Sequence, residues 1–316
     1  RQRTHATGVL VKAHHSFGDS SFSDSGIAGG KAASGVTFGA EAGGDWISSN
    51  NLGDHSYVRA SAFGELEWNL SRNVTLYPGL RLDHYSNFGS TVSPSLSVSW
   101  RTSTRLRLRA SAGRAFRIPT FLELYYRDPN HQAEAGLRPE KAWAAEAGAE
   151  FVPAKDWIAS VTFFSRWESD VIDWIRSSEA EKWHNANIQD VHAAGVEIGL
   201  ERSLGERAGV AAHYSYISTD AGAVDYLSKY ALDYAKHSWS SSTHFPLFFG
   251  LKYRQTFGYK KRSDGRDYWL WDNALERPLH RLVAEVSFSN LLDSRYQEVW
   301  GVDMPGRWFA FRLRTR

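Results

Sequence analysis

The sequence predicts an all-β chain, an antiparallel transmembrane β-barrel present in part. Three observations lead there. Apolar and polar residues alternate strictly over long runs, connections tend to alternate between tight turns and long polar loops, and tryptophans recur at one depth on the apolar faces.

Alternation is clearest in five runs. In residues 55–70, Val58, Ala60, Ala62, Leu66 and Trp68 oppose Arg59, Ser61, Glu65 and Glu67. In 73–85, Val74, Leu76, Leu80 and Leu82 oppose Thr75, Tyr77, Arg81 and Asp83. TVSPSLSVSW (91–100) sets Val92, Pro94, Leu96, Val98 and Trp100 against a serine at every second position, and Pro94 fits this outward face least well. In 104–113, Leu106, Leu108, Ala110 and Ala112 oppose Arg105, Arg107, Arg109 and Ser111. In 157–167, Trp157, Ala159, Val161 and Phe163 oppose Ser160, Thr162 and Arg166. About fifteen such segments begin near residues 4, 32, 55, 73, 91, 104, 140, 156, 188, 208, 236, 247, 267, 280 and 306. No amphipathic helix of any length competes with them.

Tight turns are expected at 70–73, 101–104, 153–156, 204–207 and 277–280, and long connections near 117–139, 176–187, 219–236 and 291–305. The short gap at 86–91 and the long one at 16–31 break the rule. Short turns on one rim and long loops on the other are how outer-membrane barrels are built. A strand from Trp157 to Trp167 runs roughly 33 Å at 3.3 Å per residue. Tilted, it rises about 25 Å, the height of the lipid-facing band. Trp68, Trp100 and Trp157 then share the rim of the short turns.

Composition agrees. The 316 residues are 42% apolar and 23% charged, with a net charge of +2, which argues against a nucleic-acid partner. Mean hydropathy is −0.44, and no run of about 18 apolar residues offers a transmembrane helix. A barrel escapes both tests because lumen-facing residues dilute the lipid-facing ones. Aromatics reach 14% and cysteine is absent, which removes thiolate metal sites and disulfides. The chain starts RQRTHATG and reads as processed or as a fragment. A soluble β-sandwich is the alternative. Strands of ten to fifteen residues are long for it, and Ala60, Ala62, Ala110 and Ala112 would make a thin core.

GRAFRIPTFLELYY (113–126), followed by LRPEKAWAAEAGAEF (137–151), resembles the TonB-dependent outer-membrane receptors, in the cobalamin and ferric-siderophore transporter branch. FFSRWESDVIDWI (163–175), NANIQDVHAAGVEIGLE (185–201), SYISTDA (215–221) and SNLLDSRYQEVWGVDMPGRWFAFRL (289–313) follow in family order. The resemblance covers most of the chain from about residue 34. It implies a Gram-negative outer-membrane location and about fifteen strands of a 22-stranded barrel, with residues 1–316 as its C-terminal portion. The plug domain and the segment that engages TonB are not recognised in the sequence. Uptake would then need that N-terminal plug, the TonB–ExbB–ExbD system, outer-membrane lipid around the wall, and a cobalamin or iron–siderophore ligand. A haem receptor of the same family and a non-coupled porin-like channel are the alternatives. The chain stops at the inward Arg316, whereas such barrels finish on an outward aromatic, so the terminus is expected at least one residue further on.

Ligand-binding candidates come from the long loops. YYRDPNHQAEAG (125–136) offers Tyr126, Arg127, Asp128 and His131. Trp183 stands in the second loop, and Tyr226 and Tyr230 in the third. Tyr125 and Tyr126 equally suit an aromatic girdle, Trp183 has the same ambiguity, and His131 suits a solvated loop. FRIP (116–119) and DPNH (128–131) only partly match the haem-receptor pattern. Arg117, Pro119, Asn290, Asp293 and Arg307 sit in family motifs and read as structural. The inward Arg59, Arg81, Arg105, Arg107 and Arg109 are expected to face Glu65, Glu67, Glu146, Glu150, Glu197 and Glu201 across a hydrated lumen wall.

No catalytic residue, metal site or cofactor is expected. Asp83–His84 and Asp190–His192 are available to an enzyme, but twelve histidines produce such pairs by chance. No HExxH, GxSxG or phosphate-loop pattern occurs.

Overall fold

The structure, a computed structural model, describes residues 2–17, 34–222, 225–299 and 301–315. Among these residues one sheet holds fifteen strands. They are β1 (Gln2–Phe17), β2 (Ser34–Ser49), β3 (Gly53–Asn69), β4 (Val74–Tyr85), β5 (Gly89–Arg101), β6 (Leu106–Arg117), β7 (Glu140–Phe151) and β8 (Trp157–Ser169). The rest are β9 (Val191–Ser203), β10 (Gly209–Asp220), β11 (Ala235–Pro246), β12 (Lys252–Arg262), β13 (Asp267–Leu279), β14 (Leu282–Ser289) and β15 (Trp308–Thr315). Each is hydrogen-bonded to its neighbours in sequence, so the order is β1 to β15 without a crossover. No described helix is long and apolar enough to cross a membrane.

Among the described residues, the connections on one side of this meander are short: 70–73, 102–105, 152–156, 204–208, 247–251 and 280–281. The other side carries the long segments 118–139, 170–190, 221–234 and 290–307, together with the short 50–52, 86–88 and 263–266. The segment expected to begin near 247 starts instead at Lys252. Pro246 cannot continue a ladder, and Phe248–Gly250 form a single 3₁₀ turn with Phe249 at φ 58°. The expected long connection at 16–31 lies mostly outside the described residues, as does Arg316.

Sidedness is the reverse of a soluble sheet. Leu96 and Trp100 are 51% and 50% exposed, and Phe309, Phe311 and Leu313 of β15 are exposed too. In β3, Val58, Ala60 and Ala62 are exposed while Arg59 and Ser61 between them are partly covered. Apolar residues that face out between covered polar ones suit hydrocarbon, not water. Trp68 sits opposite Leu76, and Trp100 sits opposite Val74 two residues further along β4, so the two indoles lie at nearly one depth. Trp239, Tyr259 and Trp269 form a second row in direct register, which the sequence reading did not pick out. Amphipathic rings at a common depth are the pattern of an interfacial belt.

Prolines mark the irregularities. The β3–β4 register is interrupted between Glu65↔Gly79 and Trp68↔Leu76, at Pro78. The β5–β6 ladder stops at Ser95↔Gly113, one residue short of Pro94, which has no N–H to continue it.

The described residues fall into two compact units. One holds 1–147, 164–193 and 220–228; the other holds 148–163, 194–219 and 229–316. In the first, Arg59 pairs with Glu41 at 3.3 Å and with Asp45. Arg81 contacts Glu41 at 3.4 Å, Asp83 at 2.9 Å and Ser61 at 2.8 Å. These acidic partners on β2 and β4 are not the glutamates expected from sequence. Alternation identifies the face of a residue, whereas register between strands selects its partner.

Candidate ligand site

The site begins where β6 leaves the sheet. Pro119 is fully buried, and Thr120 caps a five-residue helix, α1 (Phe121–Tyr125). Threonine followed three residues later by Glu123 is a capping box, each side chain accepting from the other's main-chain N–H. Glu123 also receives two bonds from Arg117 at 2.9 Å, and Arg117 reaches Glu140 at 2.5 Å. The forked guanidinium thus ties the end of β6 to α1 and to the start of β7.

Beyond α1, the loops build a small four-stranded sheet. Its order is Leu227–Ser228, Ile172–Arg176, Trp183–Asn187 and His131–Gln132. Two asparagines lock the loop around it. Asn185 is fully buried, accepts from the Glu134 N–H at 2.7 Å and donates to the Glu123 carbonyl. Asn187 accepts from the Arg138 N–H at 2.8 Å and donates to the Arg138 and Asp170 carbonyls at 2.9 and 2.7 Å.

On this frame Tyr126, Asp128 and His131 form one cluster. The Tyr126 hydroxyl donates to Asp128 at 2.9 Å, and His131 Nδ1 lies 3.0 Å from the same carboxylate. The Asn130 N–H donates to Asp128 at 2.7 Å, closing an Asx turn. Burial works to raise the Asp128 carboxyl, but the Asn130 N–H, His131 and Tyr126 outweigh it and hold it down at about 2. The bond to Asp128 in turn raises the Tyr126 hydroxyl above its ordinary value. Trp174 stands edge-on to the His131 ring at 5.1 Å and to Tyr126 at 6.5 Å. Arg127 is exposed and bridged to Gln132 through the main chain.

The remaining candidates are placed differently. Trp183 is buried, with the Arg176 guanidinium 4.4 Å above its ring. Tyr226 is partly covered, and its hydroxyl is shielded from water with no hydrogen-bond partner among the described residues. Burial, then Asp173 and Asp225, push that hydroxyl up. Tyr230 is exposed, lies in the second unit and carries Lys229 over its ring at 5.3 Å. Trp174, Asp173 and Arg176 were missed from sequence. The signal was present in DVIDWI, where a charged residue interrupts an apolar run inside a long loop. Among the described residues no three His, Asp or Glu side chains are grouped to hold a metal ion.

The other motif residues hold loop ends in the second unit. Asn290 is buried at φ 50°, accepts from the Ser294 N–H at 2.9 Å and donates to the Ser294 and Pro305 carbonyls. Asp293, at φ 55°, accepts from the Arg307 N–H at 2.8 Å. Asparagine and aspartate are the side chains that best tolerate this left-handed backbone.

Residues 3–297 match the family model described as "TonB dependent receptor-like, beta-barrel". The chain belongs to the TonB-dependent receptors. It is 30% identical over 139 residues to the ferrienterobactin receptor of Escherichia coli, a match covering 38% of this chain and 18% of that protein. It is 27% identical over 126 residues to the vitamin B12 transporter BtuB of Vibrio vulnificus, covering 40% of this chain and 20% of that one. The siderophore receptor PirA of Pseudomonas aeruginosa superposes with a TM-score of 0.73 at 19% identity, over 98% of this chain and 54% of that one. This receptor chain therefore spans about half of that structure and about a fifth of each of the two curated relatives. Its fifteen strands are part of a transmembrane β-barrel of the Gram-negative outer membrane. Receptors of this family carry cargo rather than transform it.

Proposed function

We propose that the chain forms wall and ligand-facing loops of a receptor for a large, scarce nutrient, with a ferric siderophore as the cargo and cobalamin as the other member of the class. The observation that carries this reading is the Tyr126–His131–Trp174 cluster, three ring systems held on one small sheet with the exposed Arg127 beside it. Aromatic faces and a guanidinium suit a bulky, anionic, aromatic chelate. The names carried by the relatives support the same choice between cargoes. Completion of uptake rests on an N-terminal plug and on energy from the TonB–ExbB–ExbD system.

Tryptophan fluorescence of the purified protein in detergent tests this. A ferric catecholate chelate is expected to quench it saturably, and Trp174→Ala with Tyr126→Ala is expected to weaken the response. Saturable quenching by cyanocobalamin alone would select the other cargo. A haem absorption shift lost in His131→Ala would move the receptor to haem. Ligand-independent ion conductance in a planar bilayer, with no quenching by any of the three, would make it a porin-like channel.

A further inference from the structure

Where the β5–β6 ladder stops at Ser95↔Gly113, the two strands part and a cleft of about 870 Å³ opens. Its apolar lining comes from the lipid-facing residues Ala60, Ala62, Leu82 and Val92, with Phe116. Val92 is among the exposed large apolar side chains, so this part of the lining lies on the outside of the wall. The cleft lies next to the 86–88 connection and the end of the 118–139 loop, on the long-loop side of the strands. That is the extracellular side of an outer-membrane receptor.

Three cations enter the cleft: Arg114, Arg138 and Lys141. Arg138 and Lys141 share a single carboxylate, Asp170, at 2.6 and 3.4 Å. Among the described residues Arg114 donates to a neutral acceptor, the Val92 carbonyl at 3.0 Å. The one acid in the lining, Asp83, is already paired with Arg81. His84 is held by Ser90 at 2.9 Å. Positive charge is therefore in excess at one end of a groove whose lining also holds an apolar stretch of Ala60, Ala62, Leu82, Val92 and Phe116. Such an arrangement complements a molecule with an anionic head and a hydrocarbon tail, presented from the membrane side.

We propose that this cleft is a binding site for an anionic, phosphate-bearing lipid of the outer leaflet. The phosphate sits between Arg114 and Lys141, and an acyl chain runs over Ala60, Ala62, Leu82 and Val92. Pro94 creates the site by ending the ladder, and Arg114 occupies part of the edge thus left open. The site is separate from the cargo cluster and does not depend on which cargo is carried.

Native mass spectrometry of the purified chain in neutral detergent tests it, with phosphatidic acid, phosphatidylcholine of the same acyl chains and inorganic phosphate as probes. Phosphatidic acid is expected to bind at least about tenfold more tightly than phosphatidylcholine, from two phosphate-facing cations worth roughly fivefold each. Arg114→Gln should cost about fivefold and Arg114→Gln with Lys141→Gln most of the preference, the effect shrinking as salt is raised. Ala62→Trp obstructs the groove, leaves the cations in place and should reduce binding of phosphatidic acid as well. Heat-modifiable mobility on gels confirms that each variant is folded. Equal binding of the two lipids, an undiminished preference in the folded double variant, or displacement by millimolar inorganic phosphate would each overturn the proposal.

Discussion

Asn185 accepts a hydrogen bond from the Glu134 N–H at 2.7 Å while its own side chain is fully buried and donates to the Glu123 carbonyl. One amide group thus joins the Trp183–Asn187 strand to α1, through Glu123, and to the loop beyond it, through Glu134. Asn185→Leu would leave a main-chain donor and acceptor without partners, at about 1–3 kcal/mol each. The loss is local. Limited proteolysis should cut the 118–139 loop much faster, while the heat-modifiable shift of the sheet stays unchanged.

Arg117 is 43% exposed, yet it serves two carboxylates, Glu123 and Glu140. With solvent screening allowed for, Arg117→Ala should cost about 1–3 kcal/mol in urea unfolding, because two acids are left facing each other. Lysine keeps the charge but loses the fork, so Arg117→Lys should recover only part of the loss.

The Asp128 carboxyl is held at about 2, below its ordinary 3.8. A lowered value makes its contribution to loop order full above pH about 4 and lost as pH falls through about 2. Trp174 reports on the cluster through the adjacent His131 ring. A fluorescence change should therefore appear between about pH 4 and pH 2 and be missing in Asp128→Asn. Persistence of the same change in Asp128→Asn would contradict this assignment.

Leu96 and Ser97 are neighbours on β5 that face opposite ways. Leu96 lies opposite Pro78 and Ala112, away from both rims, and is half exposed to the lipid side. Leu96→Arg should cost about 2–4 kcal/mol in detergent or lipid unfolding if it lies near the bilayer midplane. Ser97→Arg points to the hydrated side and should be mild. Equal tolerance at both positions would contradict the orientation of the wall.

The strand pattern was legible in the sequence because a two-residue period depends only on the backbone. Val58, Ala60 and Ala62 against Arg59 and Ser61 define a face without reference to any other strand. Loop architecture was less legible. Trp183, a candidate from sequence for either ligand contact or an aromatic girdle, is buried under Arg176, since a loop tryptophan is equally suited to packing and to presentation. Trp174 and Asn185 went unnoticed, because their importance lies in contacts with residues about fifty positions away.

By itself, then, the sequence determined the fold class, the outward apolar face, the approximate positions of most strands and the family they belong to. All of these follow from local periodicity and ordered motifs. Only the tertiary structure decided which acids neutralise Arg59 and Arg81, that Tyr126, Asp128, His131 and Trp174 meet on one small sheet, and that a cationic cleft opens beyond Pro94. Those depend on strand register and loop pairing, which bring distant residues together in ways a linear pattern does not encode.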